Sequence, residues 1–190
     1  MHPVNFRDVG EALGLWLDPS PLPMGRLFRG GKFDTLSTLD ELGRPKTILN
    51  LRLGEDPRHL GVAILHVPAP DDLENYDTRH RRVSDWVRRA LAALAAPETE
   101  WPVYVHCTSG RDRTGVVIAA LLTALGVPHD CIVGEFLFSD GADESRIREA
   151  LPGLRSVDLL DVQSRQVLRQ RWSGAGWPDL EDAPTDCPHS

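Results

Sequence analysis

The sequence is poor in cysteine, with only three in 190 residues, at positions 107, 131 and 187. Three cannot all pair, and neither Cys-x-x-Cys nor His-x-x-x-His occurs, so no zinc framework is implied. A reduced, cytoplasmic setting is the simplest reading of that usage. Positive charge is also in deficit. The formal net charge is −7, which leaves no global basic field to draw in nucleic acid or anionic lipid. An anionic ligand must therefore be caught by local positive charge. Long apolar runs are missing too. The longest, Val116 to Val127, is too short to span a bilayer. Met1 to Pro19 lacks the basic stretch and apolar run of a signal peptide. No internal repeat interrupts the chain.

What remains is ordinary for a globular protein: 41% hydrophobic and 26% charged residues, in a length that suits one domain. The expectation is a single domain over residues 1–172 and a polar, loosely ordered tail over 173–190. Residues 3–31, rich in Gly and Pro, read as loops with short strands. Leu36, Leu39 and Leu42 stand at helical spacing between Phe33 and Gly43. Lys46 to Leu53, Val62 to Val67 and Trp101 to His106 read as strands. From Thr78 to Ala96, Val83, Trp86, Val87, Ala90, Leu91 and Leu94 repeat along one helical face, with arginines opposite. Further helices are expected over 114–125, 129–138, 143–151 and 157–171. Strands alternating with helices and then a run of helices argue for an α/β domain with a central sheet.

The chemistry concentrates in residues 101–115, Trp-Pro-Val-Tyr-Val-His-Cys-Thr-Ser-Gly-Arg-Asp-Arg-Thr-Gly. A buried strand delivers Cys107 to a tight loop that feeds an apolar helix. Loop N–H groups entering a helix N-terminus converge on one spot, and the helix dipole adds positive potential there. Thr108, Ser109, Gly110, Arg111 and Asp112 would form such a phosphate cradle, with Gly110 permitting the bend. Arg113 can close the ring as a bidentate clamp on two phosphate oxygens. The same field favours a thiolate at Cys107, the attacking species. The Thr114 hydroxyl stands where it can donate to that sulfur, and the His106 ring is expected to hold the loop through hydrogen bonds. No metal or other cofactor is called for.

This Cys-x5-Arg segment resembles the signature of the protein tyrosine and dual-specificity phosphatases. Further pieces are similar to a bacterial group of them: Asn5-Phe6-Arg7-Asp8-Val9-Gly10, Leu27-Phe28-Arg29-Gly30-Gly31, and Leu49-Asn50-Leu51-Arg52 followed by Glu55. The likeness runs from about residue 5 to about residue 140. It departs at Arg111, where the group commonly has Lys, and at Glu11, where a second Gly is usual. The resemblance implies a mostly parallel sheet flanked by helices and a cysteine-dependent phosphomonoester hydrolase acting through a phosphocysteine. Its substrate would be a phosphorylated protein or a phosphorylated small molecule or lipid headgroup. It also implies a general acid on a loop before the cysteine. Val67-Pro68-Ala69-Pro70-Asp71-Asp72 is such a loop, with Asp71 the first candidate, Asp72 the second and Asp77 a distant third. Trp177-Pro178-Asp179 spells an acid motif but follows the cysteine, and reads as a solvated turn.

Other readings stay open. A phosphoinositide or inositol phosphate phosphatase is one. A rhodanese-type sulfurtransferase and a catalytically inactive phosphate-binding module belong to other classes. Arg111 is expected to line the pocket, whereas Arg79, His80, Arg81 and Arg82 read as the wet face of a helix. Lys32 is a further candidate without a place. Cys131 reads as core, Cys187 as idle, and Trp86 and Trp101 as core.

Overall fold

The computed structural model describes residues 2–70, 72–155, 159–178 and 186–187. Five short strands form one sheet: β1 (Arg7–Asp8), β2 (Leu27–Gly30), β3 (Thr47–Asn50), β4 (Ala63–His66) and β5 (Val103–His106). Their spatial order is β1-β2-β5-β3-β4. Only β1 runs antiparallel to its neighbour, and β5 lies at the centre between two parallel partners. Every residue of β5 is buried, as the continuous apolar run of a central parallel strand requires.

Among the described residues there are six α-helices: α1 (Val9–Leu13), α2 (Arg81–Ala95), α3 (Asp112–Leu125), α4 (His129–Leu137), α5 (Glu144–Leu154) and α6 (Val162–Trp172). The alternation along the strands sorts the two faces of the sheet. Leu49, Val103 and Val105 join the large core built with all six helices, whereas Ile48 and Tyr104 point into a small cluster with Phe33 and Leu42. In α2 the residues at helical spacing, from Val83 to Leu94, are all fully buried. At about 1.5–3 kcal/mol for each large apolar side chain, that stripe fixes the helix to the sheet.

The segment 33–43 does not form the expected helix. Only a single 3-10 turn forms, at Asp40–Leu42. Leu36, Leu39 and Leu42 still reach the small cluster, but Asp34 is held by Arg52 and Lys32, and Asp, Ser and Thr are poor helix formers. Conversely, α1 falls in a stretch read as loop and strand. Asp8 caps it by accepting from the Gly10 and Glu11 amides, as an N-cap should. The last helix begins at Val162 rather than 157, with Asp161 as its cap, and residues 156–158 lie outside those described.

The tail also departs from expectation. Cys187 is bonded to Cys131 in a disulfide that spans 56 residues, so Cys187 is not idle and Cys131 is not a simple core thiol. Trp177 packs against the main core and its Nε1 donates to the Leu125 carbonyl at 2.8 Å. Trp101 is only half-buried, with the Arg26 and Arg171 guanidinium groups 4.0 and 5.0 Å from its ring centre. Among the described residues no helix is long and apolar enough to cross a membrane.

Candidate active site

β5 ends at His106, and the chain turns through Cys107–Arg111 into α3. The site therefore lies at the carboxyl end of the central parallel strand, where open α/β sheets bind ligands. Cys107 is the free cysteine among the described residues and is 2% exposed.

The loop carbonyls are tied outward one after another. The Cys107 carbonyl lies 3.2 Å from His106 Nδ1. The Thr108 carbonyl accepts from the Lys32 amide at 3.0 Å. Asn5 Nδ2 donates to the Ser109 carbonyl at 2.8 Å, and Arg29 Nη2 to that of Gly110 at 2.9 Å. The N–H groups of Thr108, Ser109 and Gly110 donate to no acceptor among the described residues. A loop whose carbonyls are pinned on the outside turns its amides inward, which makes an anion nest. Gly110 sits at φ +69°, and a Cβ there would fall inside the Gly30–Gly31 backbone. Glycine is therefore required twice over, for the left-handed bend and for the close approach.

Behind the loop lies a buried ionic cluster that sequence reasoning did not assemble. Glu135 of α4 accepts from Arg7 Nε at 2.8 Å and from Arg29 Nη1 at 2.6 Å. Arg29 is fully buried. Burial pushes its guanidinium down to about 10, with the Glu135 carboxylate opposing, so it remains a cation at neutral pH. The one local signal was Glu135 as the lone charge in the apolar run from Cys131 to Phe138. A second chain of contacts runs from His106 Nε2 to Asp56 Oδ2 at 2.7 Å, from Asp56 to Arg52 at 2.7 Å, and on to Asp34 at 3.0 Å. It holds the His106 ring, which lies edge-on to Phe33.

Arg113, in the first turn of α3, donates from Nη2 to Thr108 Oγ1 at 3.1 Å. Among the described residues it pairs with no carboxylate. The Thr114 hydroxyl is fully buried and has no hydrogen-bond partner among the described residues. The expected bond from it to the Cys107 sulfur is thus not formed. The Arg111 guanidinium forks onto its neighbour Asp112, both contacts at 3.1 Å, and also donates to the Gly141 carbonyl. Asp112 accepts in addition from the Tyr76 hydroxyl at 2.8 Å. Partial burial works against the Asp112 charge, but the bonds from Arg111 and Tyr76 hold its carboxyl below the usual carboxylate range. Burial first, and the Asp112 carboxylate next, push the Tyr76 phenol far above its ordinary value.

A cleft of about 400 Å³ opens beside Arg113, with Pro70, Tyr76, Arg111 and Arg146 among its walls. Asp71 lies outside the described residues, although its neighbour Pro70 is in that wall. Asp72 is exposed and forked by Arg82 at 2.7 and 2.9 Å, and those bonds hold its carboxyl below the ordinary range. Arg79, His80 and Arg81 are exposed, and Lys32 pairs with Asp34 at 3.3 Å. Asp179 lies outside the described residues. Trp177 is fixed to Leu125 at the far end of α3. That is roughly 20 Å from the loop, given 14 helical residues at about 1.5 Å each.

The family model described as "Tyrosine phosphatase family" matches residues 2–171. The triple specificity protein phosphatase PtpB of Mycobacterium tuberculosis is 34% identical over 95 residues, 50% of this chain and 30% of the relative. A putative tyrosine-protein phosphatase of Cupriavidus necator is 30% identical over 86 residues, 40% of this chain and 32% of the relative. The match thus spans about a third of the length of these curated relatives. Among solved structures, TpbA of P. aeruginosa superposes with a TM-score of 0.55 at 26% identity, covering 80% of this chain and 96% of that one. The catalytic domain of the PP-IP phosphatase SIW14 of S. cerevisiae shares the fold, with a TM-score of 0.51 at 17% identity over 90% of this chain and 87% of that one.

Proposed function

The chain belongs to the tyrosine phosphatase family, and from that premise we propose that it hydrolyses phosphate monoesters on protein side chains through a phosphocysteine. The observation that carries this reading is the outward pinning of the loop carbonyls around Cys107. It leaves inward amides and the Arg113 guanidinium to receive a phosphate dianion.

In the first step the Cys107 sulfur attacks phosphorus and the P–O bond to the leaving group breaks. The loop amides and Arg113 stabilise the equatorial oxygens, where charge spreads in the transition state. Asp71 gives a proton to the departing oxygen. Asp72 is the poorer choice because Arg82 already holds both of its oxygens. In the second step Asp71 takes a proton from water, the water oxygen attacks phosphorus, and the P–S bond breaks. The buried Thr114 hydroxyl, which has no other partner among the described residues, is then available to donate to the leaving thiolate. Protein phosphate as the substrate class follows the family and the triple specificity named for PtpB.

The test is hydrolysis of p-nitrophenyl phosphate by purified protein with reductant and EDTA, beside Cys107→Ser and Asp71→Asn. Turnover in the parent, a loss of about a thousandfold or more in Cys107→Ser, and loss of the acid-side pH dependence in Asp71→Asn are expected. Equal turnover by the parent and Cys107→Ser would remove the thiolate mechanism. If both were inactive yet bound vanadate, the inactive phosphate-binding module would replace it.

A further inference from the structure

A second cationic cluster lies at the opposite end of β5 from the Cys107 loop. Val103, the first residue of β5, donates its amide to the Arg26 carbonyl at 3.0 Å, which sets Arg26 beside the entry of the strand. Arg171, in the last turn of α6, reaches the same place. Its guanidinium carbon and that of Arg26 lie 5.0 and 4.0 Å from the centre of the Trp101 ring, so both heads crowd one indole, as cations do on an aromatic ring. Trp101 precedes Cys107 along the strand by roughly 20 Å, at about 3.3 Å per residue.

Neither guanidinium pairs with a carboxylate among the described residues. Each is tied instead to backbone. Arg26 Nη1 donates to the Arg171 carbonyl at 3.1 Å, and Arg171 Nη2 donates to the Thr99 carbonyl. One bond thus tethers each head and leaves donors over. Arg171 Nε is sealed from solvent, but Arg26 Nε and Nη2 and Arg171 Nη1 are not, and none of these three donates to an acceptor among the described residues. Burial first, and the Arg171 charge next, push the Arg26 guanidinium down. Like charges are therefore held together with no carboxylate to offset them. The chain has carboxylates to spare, with a net charge of −7, and Arg44, Arg82, Arg146 and Arg148 all find one on the open surface. Two tethered guanidinium groups that find none form a fork for an oxyanion, each planar head donating to a different oxygen.

We propose that Arg26 and Arg171, set on Trp101, form a second oxyanion site at the end of the sheet remote from Cys107, and that it takes a dianion, either a phosphate group or a pair of carboxylates. This inference is independent of the phosphatase reading above.

The experiment titrates inorganic phosphate, and separately succinate, into the isotope-labelled full chain at constant ionic strength. Two nuclear magnetic resonances are followed together: the Trp101 indole N–H for the second site and the Gly110 amide for the Cys107 loop. The indole signal should move saturably, with half-saturation on the order of 1 mM. Arg26→Gln should weaken that response by about tenfold or more and leave the signals of the chain's other four indoles in place, which shows that the variant is folded. Should Arg26→Gln fail to fold, Arg171→Gln puts the same question from α6. Tighter binding of phosphate assigns the site to phosphate groups, and tighter binding of succinate assigns it to paired carboxylates. An indole signal that does not saturate overturns the proposal. So does one that moves equally with chloride, which only screens. So does one that tracks the Gly110 amide and is unchanged in the folded variant, because the shift is then relayed from the Cys107 loop.

Discussion

The two ends of α3 are held in different ways. At its N-terminus the chain is pinned by polar groups from distant segments: the Lys32 amide, Asn5, Arg29 backed by Glu135, and Tyr76 through Asp112. At its C-terminus the ties are two large indoles that pack as well as donate, a disulfide, and the Arg169 guanidinium, which also donates to the Leu125 carbonyl. Trp172 is fully buried with its indole on the Leu94 carbonyl, Trp177 caps the Leu125 carbonyl, and Cys187 is bonded to Cys131 close to the start of α4. Apolar contact supplies cohesion without direction, which is enough where two elements only have to stay together. A loop that must aim its amides at one point needs bonds with direction, and its buried carbonyls need donors. The site end is thus built for position and the far end for cohesion.

The contrast breaks hardest at Glu135. Glu135→Gln leaves two guanidinium groups facing one neutral amide, one of them fully buried. Breaking a buried pair from one side costs about 3–5 kcal/mol. In a domain of this size that lowers Tm by roughly 10 °C or more, and turnover of p-nitrophenyl phosphate should fall with it. Adding Arg29→Met removes the stranded charge. Part of the Tm should return, but the Gly110 carbonyl then lacks its donor and turnover should stay low. Recovery of both together would mean that the cluster serves cohesion alone.

At the far end the matching test is the disulfide. Cys187→Ala releases the bridge to Cys131, and losing a cross-link of this kind costs about 2–4 kcal/mol. Urea unfolding without reductant should show that loss, and the difference between parent and variant should vanish once reductant is added. Turnover of p-nitrophenyl phosphate should change by less than about twofold, because no bond to the Cys107 loop is touched. A large fall in turnover would show that the far end also sets position.

The site end was legible where its signal is local. The apolar run of β5, the Cys107 to Arg113 spacing and the apolar helix after it all lie within one stretch of chain, and each constrains the next. The same holds for α2, whose six apolar residues at helical spacing are all fully buried. The Arg29–Glu135 pair joins residues 106 apart in sequence, and no local pattern marks which buried charge will meet which. Leu36, Leu39 and Leu42 reach the small cluster from a segment that is mostly non-helical, because three contacts at the right spacing can also be made by an irregular chain whose Asp, Ser and Thr are poor helix formers. In the tail, abundant Gly, Pro and Asp suggested loose order, yet one Trp and one Cys tie parts of it down.

The mildest test lies at the rim. Tyr76→Phe removes one donor from Asp112, which keeps its fork from Arg111. A single hydrogen bond of this kind contributes about 1 kcal/mol net, so unfolding at neutral pH should shift by about that much. The pH dependence carries the sign. The Asp112 carboxyl titrates lower in the folded chain than in the unfolded one. Its contribution is therefore present above the ordinary carboxylate value and is lost as pH falls through the lowered folded value. Without Tyr76 the lowering is smaller, so the gap between parent and variant should be widest near neutrality and should close in acid. A gap that instead widened in acid would show that the Tyr76 hydroxyl bonds the protonated carboxyl better than the charged one. The rim pin would then be a neutral hydrogen bond, unlike the charged pins that hold the loop from behind.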